Sequence, residues 1–535
     1  MKINKIFSGL ALALAVFAGS GCQKVLDQAP YAAFTDESVF TTPERALLAL
    51  NGVYDAAQTG FYPGGQRGYP FGAANVQQND CRGEDMVNIA AFYQITYQAT
   101  YNPTTANNVG MWNALYGLIN KANISIDGFR RAGQAGVISQ ALATQYEAEC
   151  RFLRAMAHHE LAVHFCRPYL DGNGSQLGIP YRDFAVTGSV TVDRVRTDPR
   201  PRLDTVYSKI LQDLNFAEAN LPVTNNPAVV RAERAAAIAM KMRVRMHMGL
   251  WNEVRTEGNK LIPATLTPTT PTSVVSLIGN RSLTAAANGS FAANSTSSEN
   301  IFTIRNDALD NPGVNGALAS QYGSADLGGR GLVAVSPIIW NNTMWRNDDT
   351  RRTLLYRTGT NSNAVPNIMT TKYSDYVNRG DFNPIIRWAE VLLMQAEAEA
   401  RLSVGTVSQR AVDLLNVVRN RSIPSPATNQ YTVASFANDV EEINAILMER
   451  RIEFLAEGKR WPDIHRTAQD PIAALRPVGI PAKVINGGVA LSAYGFGLAV
   501  TPGQAAIPYA DFRFIWPIPA EEVTQNPIVV QNPGY

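Results

Sequence analysis

Eight stretches of this sequence set apolar residues at steps of three and four, and a chain committed to that period over so much of its length is confined to a helical scaffold. They cover residues 43–57, 111–129, 139–165, 204–220, 231–248, 384–402, 408–420 and 438–457. In the first, Pro43 suits the opening turn, and Ala46, Leu47, Leu50 and Tyr54 share a face. In the second, Trp112, Leu115, Leu118, Ile119 and Ala122 do the same, with Trp112 assigned to the core. Several blocks are neighbouring pairs rich in alanine, the material of helical hairpins stacked as in tetratricopeptide repeats. No 34-residue period fits the chain, so the repeat is one of structure only.

Between the blocks the composition changes. Residues 262–298 are Thr, Ser, Pro and Asn with Arg281 the only charge, and 470–510 are rich in Gly, Ala and Pro. Neither can be a core helix, and both exceed an ordinary connection, so they predict an irregular lobe whose loops carry function. The closing stretch "FIWPIPAEEVTQNPIVVQNPGY" spaces Phe514, Ile515, Trp516, Ile518, Val523, Ile528, Val529 and Val530 between prolines. It has apolar groups to bury and little freedom to lose, which predicts a strap on the folded body. The 535 residues, 46% apolar and 17% charged, allow a large core, and length alone suggests about three or four domains.

At the start, Lys2 and Lys5 precede an apolar run from Ile6 to Ala18, then Gly19, Ser20, Gly21 and Cys22. The run is too short to span a bilayer and reads as a secretory signal over 1–21. Small residues followed by cysteine resemble a lipobox, with Gly19 in place of the usual apolar first residue, so Cys22 is the expected acylation site. Removing residues 1–21 takes away two lysines and no acid, so the formal charge falls from +2 to zero, leaving no electrostatic claim on nucleic acid. Cys81, Cys150 and Cys166 show no metal or disulfide spacing, and Cys150 reads as a small buried apolar group.

Catalytic constellations are scarce. In "HHELAVHFC", His159 and His164 stand about 140° apart around a helix, against roughly 40° for a zinc-protease pair. They and His158 read as surface or partly buried histidines. "DGNGSQLGIPYR" opens like a calcium loop at Asp171, Asn173 and Ser175, but Gln176 and Arg182 occupy the positions that need Gly and Glu, so a turn is expected. No phosphate loop, G-x-S-x-G elbow or Cys-x-x-Cys pair appears, and no cofactor or metal is implied. Lys241, Arg243 and Arg245 alternate at steps of two and form no stripe. Carboxylate pairs for glycoside hydrolysis come from separate segments, and sequence does not exclude them.

"RFLRAMAHHELAVHF" with "GIPY", then "VYSKILQDLNFAEANLP", "RAAAIAMKMRVRMHMGLW", "SSENIFTI", "IIRWAEVLLMQAEAEARL", "LLNVVRNRS" and "ERRIEFLAEGKRWPDIHR" occur in one order. This series resembles the SusD/RagB family of outer-membrane lipoproteins; "CQKVLDQAP", "NGVYDA" and "WPIPAEEVTQNPIVVQNPGY" fit it too, whereas 56–108 and 262–380 match weakly. The resemblance implies one body over 22–535: an all-α scaffold of tetratricopeptide-like hairpins, mainly 35–250 and 384–460, with an irregular ligand-loop lobe, mainly 56–108, 262–380 and 470–535. It further implies a surface-exposed outer-membrane lipoprotein that lids a SusC-like TonB-dependent transporter and delivers oligosaccharides or, in some relatives, peptides. No catalysis and no cofactor are implied.

In the matching blocks, Asn383 and Pro384 suit a helix cap and first turn, and Ala389, Leu392, Leu393, Ala396 and Ala400 make a small-residue face. Glu449, Arg450, Arg451, Glu453, Glu457, Lys459 and Arg460 read as an ion-pair network holding a helix against Trp461 and the tail, with Gly458 where the helix stops. Sugar recognition needs aromatic faces and planar polar groups. The weakly matching regions supply candidates in Asp80, Arg82, Tyr97, Tyr101, Tyr322, Trp340 and Trp345; the ordinary alternative for the rings is packing, and for Asp80 and Arg82 a local ion pair. A secreted hydrolase and a protein-binding helical adaptor remain as other readings of the residues.

Overall fold

The structure is a computed structural model that describes residues 39–60 and 68–535, so the leader and Cys22 lie outside the described residues. The eight helical blocks each form a helix, and three helices not read from the sequence, Ala73–Arg82, Trp251–Gly258 and Arg460–Thr467, join them. They are α1 (Pro43–Gln58), α2 (Ala73–Arg82), α3 (Ala106–Gln134), α4 (Gln140–Phe165), α5 (Leu203–Asn220), α6 (Arg234–His247), α7 (Trp251–Gly258), α8 (Trp388–Leu402), α9 (Gln409–Arg419), α10 (Asp439–Glu453) and α11 (Arg460–Thr467). Their starts are locally coded: Thr42, Ser139, Ser408 and Asn438 each cap a first-turn N–H with the side chain.

From α3 to α9 each of these helices packs on the next, α1 joins the array through α3, and α10 lies against α8. This serial stack is the all-α, tetratricopeptide-like scaffold. Alanine permits the close approach: Ala389, Ala396, Ala398 and Ala400 of α8 are all buried. One correction concerns its start. Asn383 and Pro384 do not cap α8; they lie in a strand, Asn383–Arg387, which pairs antiparallel with Asn300–Ile304, and the helix opens only at Trp388. Proline at an edge of a two-stranded ladder costs no essential bond.

The remaining strands are short antiparallel pairs. We label Met86–Asn88 β1 and Val333–Val335 β2; these two pair with each other, Tyr356–Thr360 pairs with Pro366–Thr370, and Gly479–Ile480 with Ile507–Pro508. Around them a second apolar core gathers Phe291, Tyr322, Trp345, Tyr356 and Tyr373 from the irregular segments with Ile452 and Leu455 from the end of α10.

A buried ion network joins this core to the helices. Glu453 accepts from Arg351 at 3.0 Å, Arg387 at 3.0 Å and Arg421 at 2.6 Å, while Glu457 binds Lys372 at 2.6 Å and Arg387 at 2.8 Å. Burial alone would raise the Glu453 carboxyl, but Arg421, Arg387 and Arg351 hold it well below the carboxylate range. Its direction differs from the sequence reading, since its partners lie in the irregular segments, the strand Asn383–Arg387 and the loop after α9. Arg450 pairs with Asp463, and Arg451 and Arg460 reach Glu84 and Asp85; none of these charges pairs with the tail. Lys241, Arg243 and Arg245 likewise pair with acids, Lys241 with Glu218 and Glu257, Arg243 with Glu390 and Arg245 with Glu257.

The tail is a strap. Phe514, Ile515, Trp516, Ile518 and Val529 are buried, though Ile528 and Val530 face outward. What it wraps is the C-terminal end of α4, whose last carbonyls have no partner within the helix. Trp461 Nε1 donates to Val163 O at 3.3 Å, Trp516 N to His164 O at 2.9 Å, Asn532 Nδ2 to Phe165 O at 2.8 Å and His465 Nε2 to Cys166 O at 2.9 Å. Asn532 Nδ2 also donates to Trp516 O at 2.7 Å, which locks the strap upon itself.

The histidine reading needs correction. His158, His159, His164, His247 and His465 are all buried, because from Phe152 to its end the helix that carries the first three is buried at every residue except Glu160. Among the described residues no cluster suits a metal ion. The Asp171 segment is a turn, as expected, with Gly172, Asn173 and Gly174 at positive φ.

Two predictions follow from this packing. Asn532→Ala strands two buried carbonyls and is expected to cost about 2–4 kcal/mol in urea unfolding, and Trp516→Ala about 3–5 kcal/mol; unchanged midpoints in both would mean the strap is ornamental. Burial lowers the His465 pKa from 6.5 to about 3. Its contribution is therefore present above pH 6.5 and is lost as pH falls toward 3, on the order of 1 kcal/mol per pH unit. The melting temperature of His465→Gln is expected to fall less than that of the parent across that window.

Candidate functional site

The sequence-derived candidates sit inside the molecule. Tyr97 donates its hydroxyl to Val484 O at 2.8 Å, and Tyr322 donates to Asp80 Oδ2 at 2.5 Å. Tyr101 donates to Arg513 O and packs its ring edge on Trp516 at 6.2 Å. Trp345 is buried against Trp340 and Tyr356. With Asp80 and Arg82, these side chains have no face open to a ligand in this structure.

Asp80 and Arg82 are also not each other's ion pair. Asp80 receives Tyr322 and the N–H of Gly458, whose φ of +69° places it in the left-handed region. Burial raises the Asp80 carboxyl to about 7. Arg82 lies 3.4 Å over the Trp461 ring, donates to Phe514 O at 2.5 Å and approaches His164 Nδ1 at 3.2 Å, while His164 Nε2 meets Glu160 at 3.1 Å. Burial brings the Arg82 guanidinium down to about 10, and it acts as a clamp between α2 and the strap. Trp340 differs from the rest. It is half-buried, with the Arg352 guanidinium 4.7 Å from its ring and fixed by bonds to Trp340 O and Trp345 O.

The same weakly matching regions do build an open cleft, from other residues. Pairing of β1 with β2 is extended by Ile89 N donating to Leu332 O at 2.9 Å, so the residues after β1 lie beside those before β2. After β1 comes a tight turn, Ala91–Tyr93; before β2 comes the loop Gly328–Leu332. The outcome is Phe92, 55% exposed, with the Arg330 guanidinium 5.0 Å from its ring centroid. Arg330 donates to Asn315 Oδ1 at 2.9 Å, and Asn107 Nδ2 to Phe92 O at 3.2 Å. Tyr69, Tyr93, Gly110 and Gln321 complete a cleft of about 90 Å³. Aromatic face and planar amides with an arginine are the groups that recognise C–H surfaces and hydroxyls.

Other hollows lack a ring as exposed as Phe92. An interior one of about 60 Å³ is lined by charges already paired, Arg243 and Lys459 with Glu390 and Arg450 with Asp463. One of about 350 Å³ beside α1 has a single ring, Tyr54, whose hydroxyl is spent on Glu149. One of about 340 Å³, lined by Val39, Phe40, Leu48, Ala49 and Ile124, is largely apolar.

Sequence pattern alone does not single out Phe92. Tyr93, Tyr97 and Tyr101 recur every four residues, which marks a buried stripe, and Phe92 is the ring one place off it. Arg330 stands alone in "LGGRGL", a loop without helical or strand period.

Comparison with known proteins now adds to this geometry. The model for the SusD family matches residues 339–535, and one described as starch-binding, associating with the outer membrane, matches residues 44–246. The chain belongs to the SusD/RagB family. A SusD-like protein, P38, of Formosa agariphila is 24% identical over 585 residues, covering 99% of this chain and 100% of the relative. A SusD superfamily structure from Bacteroides fragilis superposes with a TM-score of 0.72 at 24% identity, covering 92% of this chain and 99% of that one. A laminarin binding SusD-like protein gives 0.64 at 20% identity, covering 92% and 100%. The family is one of carbohydrate-binding proteins associated with the outer membrane.

Proposed function

We propose that this protein is a cell-surface lipoprotein that captures oligosaccharides and passes them, chemically unaltered, to a SusC-like TonB-dependent transporter in the outer membrane. The observation that carries this reading is the exposed Phe92 ring beside Arg330, Asn315 and Asn107 in the irregular lobe. A sugar ring stacks on Phe92, and its hydroxyls exchange water for the amides. Trp340 is a second ligand contact in this reading, whereas Tyr97, Tyr101, Tyr322, Trp345, Asp80 and Arg82 set the walls from behind. Two-carboxylate hydrolysis requires paired acids about 5–9.5 Å apart, and the residues lining the cleft include none, which supports binding over cleavage.

The test is calorimetry against a panel of glycans and peptides. Phe92→Ala is expected to weaken oligosaccharide binding by about ten- to a hundredfold, and Trp340→Ala by a smaller factor. Tyr97→Phe, which removes only an interior hydroxyl, should lower stability and leave affinity alone. Peptide binding with no glycan binding, or product formed from the bound oligomer, would overturn the reading.

Anchorage rests on Cys22, which follows a small-residue cleavage site. Among the described residues no helix is long and apolar enough to cross a membrane. Mass spectrometry is expected to show an acylated Cys22 at the mature N-terminus, and Cys22→Ala to release the protein from membranes; retention of that variant would require another anchor.

A further inference from the structure

We propose that the Phe92 cleft selects anionic oligosaccharides, those bearing a carboxylate or sulfate beside the sugar unit that stacks on the ring. This rests on the cleft being the glycan site and names the class of glycan.

The argument is the state of Arg330. Its guanidinium lies 5.0 Å from the Phe92 centroid, and one of its N–H groups is used, by Asn315 Oδ1 at 2.9 Å. Among the described residues no carboxylate comes within ion-pairing distance of it, and the lining of the cleft contains no Asp or Glu. Several other surface arginines are neutralised locally, Arg202 by Asp204, Arg346 by Asp348 and Arg513 by Asp511, though among the described residues Arg131, Arg194 and Arg476 are not. The acid nearest to Arg330 in sequence, Asp326, is turned away, held by Arg357 Nη1 at 2.8 Å and by Thr360 N at 2.9 Å.

Nor is Arg330 on a loose tether. Its own N–H donates to Ser320 O at 2.7 Å, and that of Gly331 to Gly323 O at 2.7 Å. Gly331 has φ +56°, and a Cβ there would meet the Asn361 backbone at 2.7 Å, so the loop is fixed against its neighbour. A pinned guanidinium with its fork open is the arrangement that takes a carboxylate or sulfate in a bidentate bond, whereas a neutral sugar uses it only as one more donor. With a mature formal charge of zero, the preference is local to this cleft rather than a property of the whole surface.

The experiment titrates the purified full-length mature protein, by calorimetry, with a uronic-acid tetrasaccharide, a sulfated galactan tetrasaccharide and a neutral β-glucan tetrasaccharide, at 20 and 500 mM NaCl. At low salt at least one anionic ligand is expected to bind about tenfold tighter than the neutral one, and the gap to shrink at high salt. Arg330→Gln should erase the gap, weakening the anionic ligand far more than the neutral one, and Arg330→Lys should keep part of it. Circular dichroism checks both variants for fold. Equal affinity for all three sugars, or an equal loss for all three in Arg330→Gln, overturns the anionic preference and leaves the glycan reading standing. Failure of every sugar to bind overturns both.

Discussion

A buried helix end sets the terms for this structure. The last turn of α4 lies inside the molecule, where the carbonyls of Val163, His164, Phe165 and Cys166 cannot reach water and would each cost about 1–3 kcal/mol if left bare. Their donors come from α11 and from the strap. Arg82 adds α2 to the same junction by stacking on Trp461 and bonding Phe514 O. One helix terminus thereby ties together segments from the first and last thirds of the chain, and the cleft's turn at Ala91–Tyr93 begins within ten residues of that clamp.

The ion network around Glu453 and Glu457 plays the corresponding part for the irregular lobe. That lobe has little regular structure of its own, and its apolar core is small beside that of the helices. Buried ion pairs are weak evidence for net stability, since desolvation offsets much of the attraction. Their geometry is specific, however: Arg351, Lys372, Arg387 and Arg421 must each find one pair of glutamates at the end of α10. The lobe is therefore positioned against the scaffold, and the loops that carry Phe92 and Arg330 inherit that position through β1 and β2.

Much of the scaffold was legible because its information is local. Caps at Thr42, Ser139, Ser408 and Asn438 and a period of three and four residues do not depend on partners far away. Asn383-Pro384 misled for the opposite reason, since a strand of five residues is defined by its partner at Asn300–Ile304. The regions that carry the cleft were legible as departures from helical pattern. Its residues were not. The aromatic types of Tyr97, Tyr101 and Phe92 do not tell them apart, because exposure is decided by a one-place offset from a four-residue stripe and by a strand pairing across more than 240 residues. Likewise, whether Arg330 has a counter-ion depends on where Asp326 points, which only the folded loop determines.

The strap has a consequence for biogenesis. Asn532 and the carbonyl of Phe165 are 367 positions apart, so a chain synthesised in order carries α4 long before its closing donors exist. In that interval the end of the helix must stay hydrated or be held by a chaperone, and the scaffold cannot settle around it. A product that stops short of the strap would contain every residue of the cleft and still lack the groups that let the central helix be buried. Completion of the fold is thus tied to arrival of a segment that lies outside the cleft, a built-in check on the length of the finished chain.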